Sequence, residues 1–461
     1  MRKNTKKKNR AKIEKDFVTT MSQHLIENNQ IDNRLYGKYD VKRGLRNANG
    51  TGVVVGMTKV GEVVGYSTDE NDRKTPTEGK LYYRGVDIHD LVNNVISEKR
   101  FGYEEASYLL LFGELPSKKR LDAYLATLAA RRSLPPGFAR DMILVAPSNN
   151  VMNKLARSVL ALYSYDDKAD DHSIPNVLRQ SIDLIGYFPS LIAYGFQAKR
   201  SHYHNESLHL HYPDPEKSTA ENILRMIRPT GEYTDIEAKT LDLSMILHAE
   251  HGGGNNSTFV THVVTSTGTD TYSAIAAAVG SLKGAKHGGA NVEVIGMIND
   301  LKSNVKDITN EAEVKKYLAK LLKGEAFDHS GLIYGLGHAV YTLSDPRAVL
   351  LKGMAEKLAK EQGLMDEFLL YDFIEQQGPK LYKEIKGVER PMPANVDLYS
   401  GFVYSALNIP LDIATPVFAA SRISGWCAHR IEELVAGGKI VRPAYINAQP
   451  EKQYVPIAKR P

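Results

Sequence analysis

Segments whose apolar residues recur three and four positions apart, each closed by helix-stopping residues, follow one another along most of this chain. That period belongs to helices with one buried face, so the sequence predicts a mostly-α protein. In YEEASYLLLFGELP, Ala106, Leu109, Leu110 and Phe112 share a face before Gly113 and Pro116 end it. Ser117 is placed to cap the next helix, where Leu121, Tyr124, Leu125 and Leu128 recur. VMNKLARSVLALYS and LRQSIDLIGYFPSLIAYGF continue the pattern. Asn310 and Glu313 form a capping-box pattern for a helix through Leu322, closed by Gly324. Ser344 and Asp345 before Pro346 mark another entry, and a last long helix is expected from after Thr415-Pro416 to Gly437-Gly438. LYYRGVDIHDLV, Leu81 to Val92, reads as the opening of the helical part, and GVERPMPAN, Gly387 to Asn395, as a hinge-type linker.

The valine-rich stretch NGTGVVVGMTKVGEVVGY interrupts this regime. Its Gly50, Gly52 and Gly56 approach a dinucleotide-binding fingerprint, but the third glycine is one residue late and a strand-like run follows. We read it as a minor N-terminal β-hairpin.

Charge excludes one class of partner. The first fifteen residues hold eight Lys or Arg against one Glu, a net +7, which leaves −2 on the other 446 of the 461 residues. Basicity therefore sits in a tail, residues 1–16, read as solvated and disordered, and nucleic acid is not an expected partner. No apolar run approaches the roughly 18–20 residues that span a bilayer, and the tail lacks the apolar centre of a signal peptide. A single cysteine, Cys427, rules out internal disulfides and cysteine-based zinc clusters; it reads as a core residue in a cytoplasmic protein.

The chemistry gathers in four places. His248 and His251 precede Gly252, Gly253 and Gly254; His287 precedes Gly288 and Gly289. GLGHAVYTLSDPR supplies His338 and Arg347, and ANVDLYSG supplies Asp397 in a loop before a helix, with Arg422 and Arg442 further on. Arginine forks bind carboxylates bidentately and stay charged, so this set suits a dianionic carboxylate. An aspartate can take a proton while a neutral imidazole donates a hydrogen bond to the oxyanion or enol that forms. His287 would be held neutral by a helix N-terminus if Gly288 begins a helix. His202, His204, His209 and His211 lie in a loop of mixed charge with no cysteine nearby and are not read as metal ligands.

In order and spacing these segments resemble the citrate synthase family from about Leu81 to Arg442. The histidines of HGGGN and KHGGAN stand 36 residues apart, His338 and Arg347 nine apart, and the arginines of SRISGW and VRP twenty apart. The resemblance implies that Asp397 abstracts a methyl proton of acetyl-CoA, His287 stabilises the enol, and His338 polarises the ketone of oxaloacetate. It implies that His251, Arg347 and Arg422 hold the oxaloacetate carboxylates together with Arg442 from the partner subunit of a homodimer. A large domain (17–285 and 395–461) and a small one (286–394) are implied, closing over the substrates, with no tightly bound cofactor and no metal. The sequence departs from the family where CoA phosphates are often held: Thr342 stands in place of a basic residue and Ala339 in place of an arginine. Lys283 and Lys286 are the substitutes considered. A 2-methylcitrate synthase acting on propionyl-CoA is the close alternative, and a metal-dependent hydrolase on His248, His251 and His287 the remote one.

Overall fold

The computed structural model describes residues 17–47, 49–68, 74–388 and 391–460, so the basic tail 1–16 and part of the 387–395 linker lie outside the described residues. The chain separates into two units, 1–55 with 442–461, and 56–441. The first holds a helical segment over 17–28, a short helix Asn33–Lys38 capped by Asp32, and an extended C-terminal segment ending in a turn at Ile457–Lys459.

The second unit is built of helices around one central element, Leu411–Ala436, whose residues from Ile413 to Arg430 are all buried. A helix apolar on every side belongs inside a protein. Helices Tyr103–Phe112, Ile174–His204, Asp235–His248, Asn256–Thr265 and Thr271–Leu282 pack against it, and Trp426 and Cys427 are completely enclosed. This helix begins earlier than the sequence predicts. Pro416 lies inside it rather than before it, near enough to the start that only one early ladder bond is lost.

Side-chain caps set many of the helix boundaries, and the expected Ser117 cap is among them. Ser117 accepts from the Arg120 N–H, and Gly113 closes the preceding helix in the left-handed conformation with φ 83°. Ser218 with Glu221 and Thr234 with Glu237 form complete capping boxes. At Glu311–Lys323, Asn310 caps the helix but Glu313 turns away to accept from the Lys306 N–H, so the reciprocal half of the expected box is replaced by a tie to the preceding loop.

The β-hairpin exists but sits further along than its sequence signal. Gly61–Thr68 pairs antiparallel with Lys74–Tyr83, and Val86–Asp87 adds a third short strand. Residues 53–59 form no strand: Val54 and Met57 are almost fully exposed, and a valine-rich run without a neighbour to pair with gains nothing from extension. Leu81 to Tyr83 therefore end a strand, and the helix expected from Leu81 starts at Ile88, capped by Asp87.

Two glycines let this hairpin lie against the loop that follows His338. A Cβ on Gly65 would stand 2.2 Å from the Val340 carbonyl oxygen, and one on Gly79 would stand 2.2 Å from that of Ser344. Thr342 Oγ1 donates to the Gly65 carbonyl at 2.7 Å across the same contact.

Candidate active site

Three loop-to-helix junctions bring the site together. At the first, the Asp235–His248 helix ends in the turn His248 to Gly252. Tyr83, at the end of the second strand, pins this turn by donating to the Ile246 carbonyl at 2.8 Å. The central helix approaches so closely at Gly425 that a Cβ there would lie 2.4 Å from the Ala249 carbonyl oxygen. From that helix Arg422 donates through Nε to the His248 carbonyl at 2.5 Å, while the His248 ring lies 4.2 Å from Phe418.

At the second junction His287 sits in the turn before helix Ala290–Asn304. Thr415 of the central helix donates to the Gly288 carbonyl at 2.9 Å and fixes that turn. His287 Nε2 accepts the Ser257 N–H at 3.3 Å and lies 3.1 Å from Ser257 Oγ. That hydroxyl accepts from Trp426 Nε1 at 3.1 Å and lies 2.9 Å from Asn255 Oδ1. Because Nε2 receives an N–H, the proton of the neutral ring is on Nδ1. Its pKa is pushed down to about 4, by burial first and by the charge of Arg422 second. The expected cause was a helix beginning at Gly288; the helix starts at Ala290 instead, and burial does the work.

The third junction joins His338, Arg347 and Asp397. The His338 loop is stitched to the segment before Asp397: Gly337 donates to the Pro393 carbonyl at 2.7 Å, Asn395 N–H to Gly335 at 2.9 Å, and Asn395 Nδ2 to Gly337 at 2.9 Å. His338 Nδ1 accepts the N–H groups of Val340 and Tyr341, both at 3.0 Å, which leaves the neutral ring protonated on Nε2. Its ring lies 5.3 Å from that of His251 and 4.6 Å from Tyr341.

Arg347 enters on the first turn of helix Pro346–Gln362, behind its N-cap Asp345. Asp397 is not in a loop, as the sequence suggested, but on the first turn of helix Val396–Ala406, where Asn395 accepts its N–H. Burial pushes its carboxyl up to about 6; Arg347 and Arg422 oppose this, and Asp345 adds to it. Burial, then Arg347, holds both His248 and His251 well below the ordinary imidazole range. Arg422, lowered to about 10 by burial, still carries its charge at neutral pH.

These groups form one electrostatic neighbourhood, since the charge of Arg422 is felt at His248, His251, His287 and Asp397. Within it His251 Nε2, Arg422 Nη1 and both ring nitrogens of His248 are buried without a hydrogen-bond partner among the described residues. Buried polar atoms are nearly always satisfied, so a cluster of unmatched groups beside two guanidinium groups fits a small anion rich in acceptor oxygens.

The remaining expectations separate. Arg442 belongs to the other unit, where it is exposed. Lys283 and Lys286 are exposed on the turn between two helices. A cavity of about 500 Å³ opens beside Thr342, Asp345 and Pro393, but no histidine and no arginine lines it, so it is not where the chemistry lies. Among the described residues, the group able to surround a metal ion is His262, His429 and Glu432, not the triad His248, His251 and His287. Sequence reasoning missed Ser257, Trp426 and Asp345 as supports of the site. Asp345 was visible only as a cap, and Ser257 had no signal beyond its place after HGGGNN.

Comparison with known proteins places the whole chain rather than its single residues. The family model described as "Citrate synthase, C-terminal domain" matches residues 48–444. The citrate synthase of Haloferax volcanii is 32% identical over 91% of this chain and 99% of its own length. A 2-methylcitrate synthase of Shewanella oneidensis is 30% identical over 82% of this chain and 92% of its own. Among solved structures, the Thermoplasma acidophilum citrate synthase, in ternary complex with carboxymethyl coenzyme A and oxaloacetate, superposes with a TM-score of 0.74. Its identity is 26%, with 91% of this chain and 99% of that one covered.

Proposed function

This chain belongs to the citrate synthase family, and from that premise we propose that Asp397, His287 and His338 carry out its condensation. The enzyme is an acyltransferase of the citrate synthase type: it joins acetyl-CoA to oxaloacetate and hydrolyses citryl-CoA to citrate and CoA. In our reading the Asp397 carboxylate removes a proton from the methyl carbon of acetyl-CoA. His287 donates a hydrogen bond from Nδ1 to the thioester oxygen and keeps its proton, so that the charge developing there is stabilised as the enolate forms. His338 donates from Nε2 to the ketone oxygen of oxaloacetate and makes its carbon the electrophile. The new carbon–carbon bond gives citryl-CoA, and water then cleaves the thioester.

The observation that carries this assignment is the pair of opposed tautomers. One ring is held by the Ser257 N–H with its proton on Nδ1, the other by two backbone N–H groups with its proton on Nε2. Each neutral imidazole is thus committed to donating from one known nitrogen, as two separate carbonyl oxygens require. Arg347, Arg422 and His251 supply charge and donors for the oxaloacetate carboxylates. Arg442 completes the set from the partner subunit of a homodimer, in the cytoplasm, and segment 286–394 closes over the bound substrates. Closure after oxaloacetate binds would protect the thioester from idle hydrolysis.

The presence of a 2-methylcitrate synthase among the relatives keeps a second acyl group in play. One methylene is worth only about 1–3 kcal/mol in an apolar pocket. Thiol release with oxaloacetate and either acetyl-CoA or propionyl-CoA decides the matter: kcat/KM is expected to favour acetyl-CoA, and a preference for propionyl-CoA overturns the reading.

A further inference from the structure

One cluster of ligating side chains has no part in the condensation. His262, on helix Asn256–Thr265, and His429, on the central helix, face each other with Nε2 of the first 3.0 Å from Nδ1 of the second. The far nitrogen of each ring faces a carboxylate. His262 Nδ1 is 2.8 Å from Glu433 Oε2, and His429 Nε2 is 3.0 Å from Glu250 Oε1, although off the ideal hydrogen-bond line. An ionised carboxylate only accepts, so both far nitrogens carry protons. In neutral rings the two facing nitrogens then both present lone pairs, which repel at 3.0 Å unless a cation lies between them.

Glu432 adds a third donor atom, its Oε2 lying 3.7 Å from His429 Nδ1. Thr58 Oγ1 and the Lys59 N–H steady that carboxylate, each at 2.6 Å. Ligand atoms of His262, His429 and Glu432 all fall within 4.8 Å of one another.

We propose that His262, His429 and Glu432 form a binding site for a divalent cation of the Zn²⁺ class, separate from the condensation chemistry. Tetrahedral Zn²⁺ takes imidazole nitrogen and carboxylate oxygen at about 2.0–2.2 Å, which sets two ligand nitrogens about 3.3 Å apart. The rings need part by only a few tenths of an ångström. Imidazoles whose second N–H is held by a carboxylate are oriented in the manner of metal ligands, and Glu433 and Glu250 hold these two. The His262 and Glu432 side chains are 16% and 17% exposed, which leaves an entry path and a place for a water ligand.

Binding displaces the proton that otherwise sits between the rings. The cation enters, one proton leaves to solvent, and nothing is oxidised or reduced. Glu250 also ties the cluster to the active site, because it lies between His248 and His251 and its side chain is wholly buried.

The test uses the full-length, untagged protein, stripped with a chelator, then titrated with Zn²⁺ alone by calorimetry and with Co²⁺ by visible absorption. One Zn²⁺ per chain and the intense visible bands of four-coordinate Co²⁺ are expected. His262→Gln and Glu432→Gln, both at partly accessible side chains, should each weaken Zn²⁺ binding by about tenfold or more. Rates of the metal-free variants should stay within about twofold of the parent, since neither residue touches substrate. Substoichiometric binding, or affinity unchanged in both variants, overturns the proposal and leaves a shared proton as the only occupant.

Discussion

Asp345 grips Arg347 through both carboxylate oxygens, Nε at 3.0 Å and Nη2 at 2.8 Å, with both side chains almost completely buried. The same Oδ2 accepts the N–H of Val396 at 3.1 Å, the residue before Asp397. One carboxylate therefore sets both the guanidinium proposed to hold oxaloacetate and the helix start that carries the proposed base.

Replacing Asp345 by Asn tests this double role. The amide keeps the shape but loses the charge, and its NH₂ cannot accept from either Arg347 or Val396. Breaking a buried pair from one side costs about 3–5 kcal/mol. KM for oxaloacetate should rise by about tenfold or more, with a lower melting temperature. An unchanged KM in a folded variant would show that Arg347 is held without Asp345.

The pH profile follows from two buried groups. Asp397 must be ionised to accept a proton, and its carboxyl is pushed up to about 6, chiefly by burial. Ionisation is complete above that pH and is lost below it, so kcat/KM should fall about tenfold per unit under pH 6. His287, lowered to about 4 by burial and then Arg422, stays neutral throughout and sets no limb in that range. In Asp345→Asn a negative neighbour of Asp397 is gone, so the acidic limb should move to lower pH. A limb that stays put in the variant would disconnect Asp345 from the base.

Asp397→Asn removes the proposed base while Arg347, Arg422 and His251 remain. General-base catalysis contributes about 10²–10⁴ in rate. We expect kcat to fall within or beyond that range in thiol-release kinetics, while calorimetric affinity for oxaloacetate changes by less than about threefold. Near-normal turnover would require a different base.

Much of this could be read from the residues, because helices advertise themselves locally. Caps such as Ser117 and Asp345 and stops such as Gly113 act within one turn, and their positions follow from the sequence alone. His287, His338 and Asp397 could be singled out because their motifs occur in a fixed order, and the structure sets them around Arg422 and His251. What failed depends on distant partners. The hairpin begins at Gly61 because Tyr83 is its pairing partner, and no local rule excludes Val53 to Val55. Pro416 looked like a boundary, yet the central helix is enclosed on all sides and tertiary packing overrides one missing donor. His262 and His429 meet across 167 residues, a distance at which spacing carries no information.

The close seating of the hairpin against the loop after His338 gives a last, paired prediction. At Gly65 any side chain would begin 2.2 Å from the Val340 carbonyl oxygen, which is backbone and cannot swing aside. Gly65→Ala must therefore push apart the hairpin and the loop whose Val340 and Tyr341 amides fix the His338 tautomer. Overpacking of this kind costs about 1–3 kcal/mol, and here the displacement falls on the ring proposed to polarise the ketone, so kcat should drop together with the melting temperature. Gly353 is the control: it lies inside helix Pro346–Gln362 with open space where a Cβ would go. Gly353→Ala should stabilise the protein by up to about 1 kcal/mol and leave kcat alone. If both variants melt higher and turn over normally, the hairpin does not hold the His338 loop.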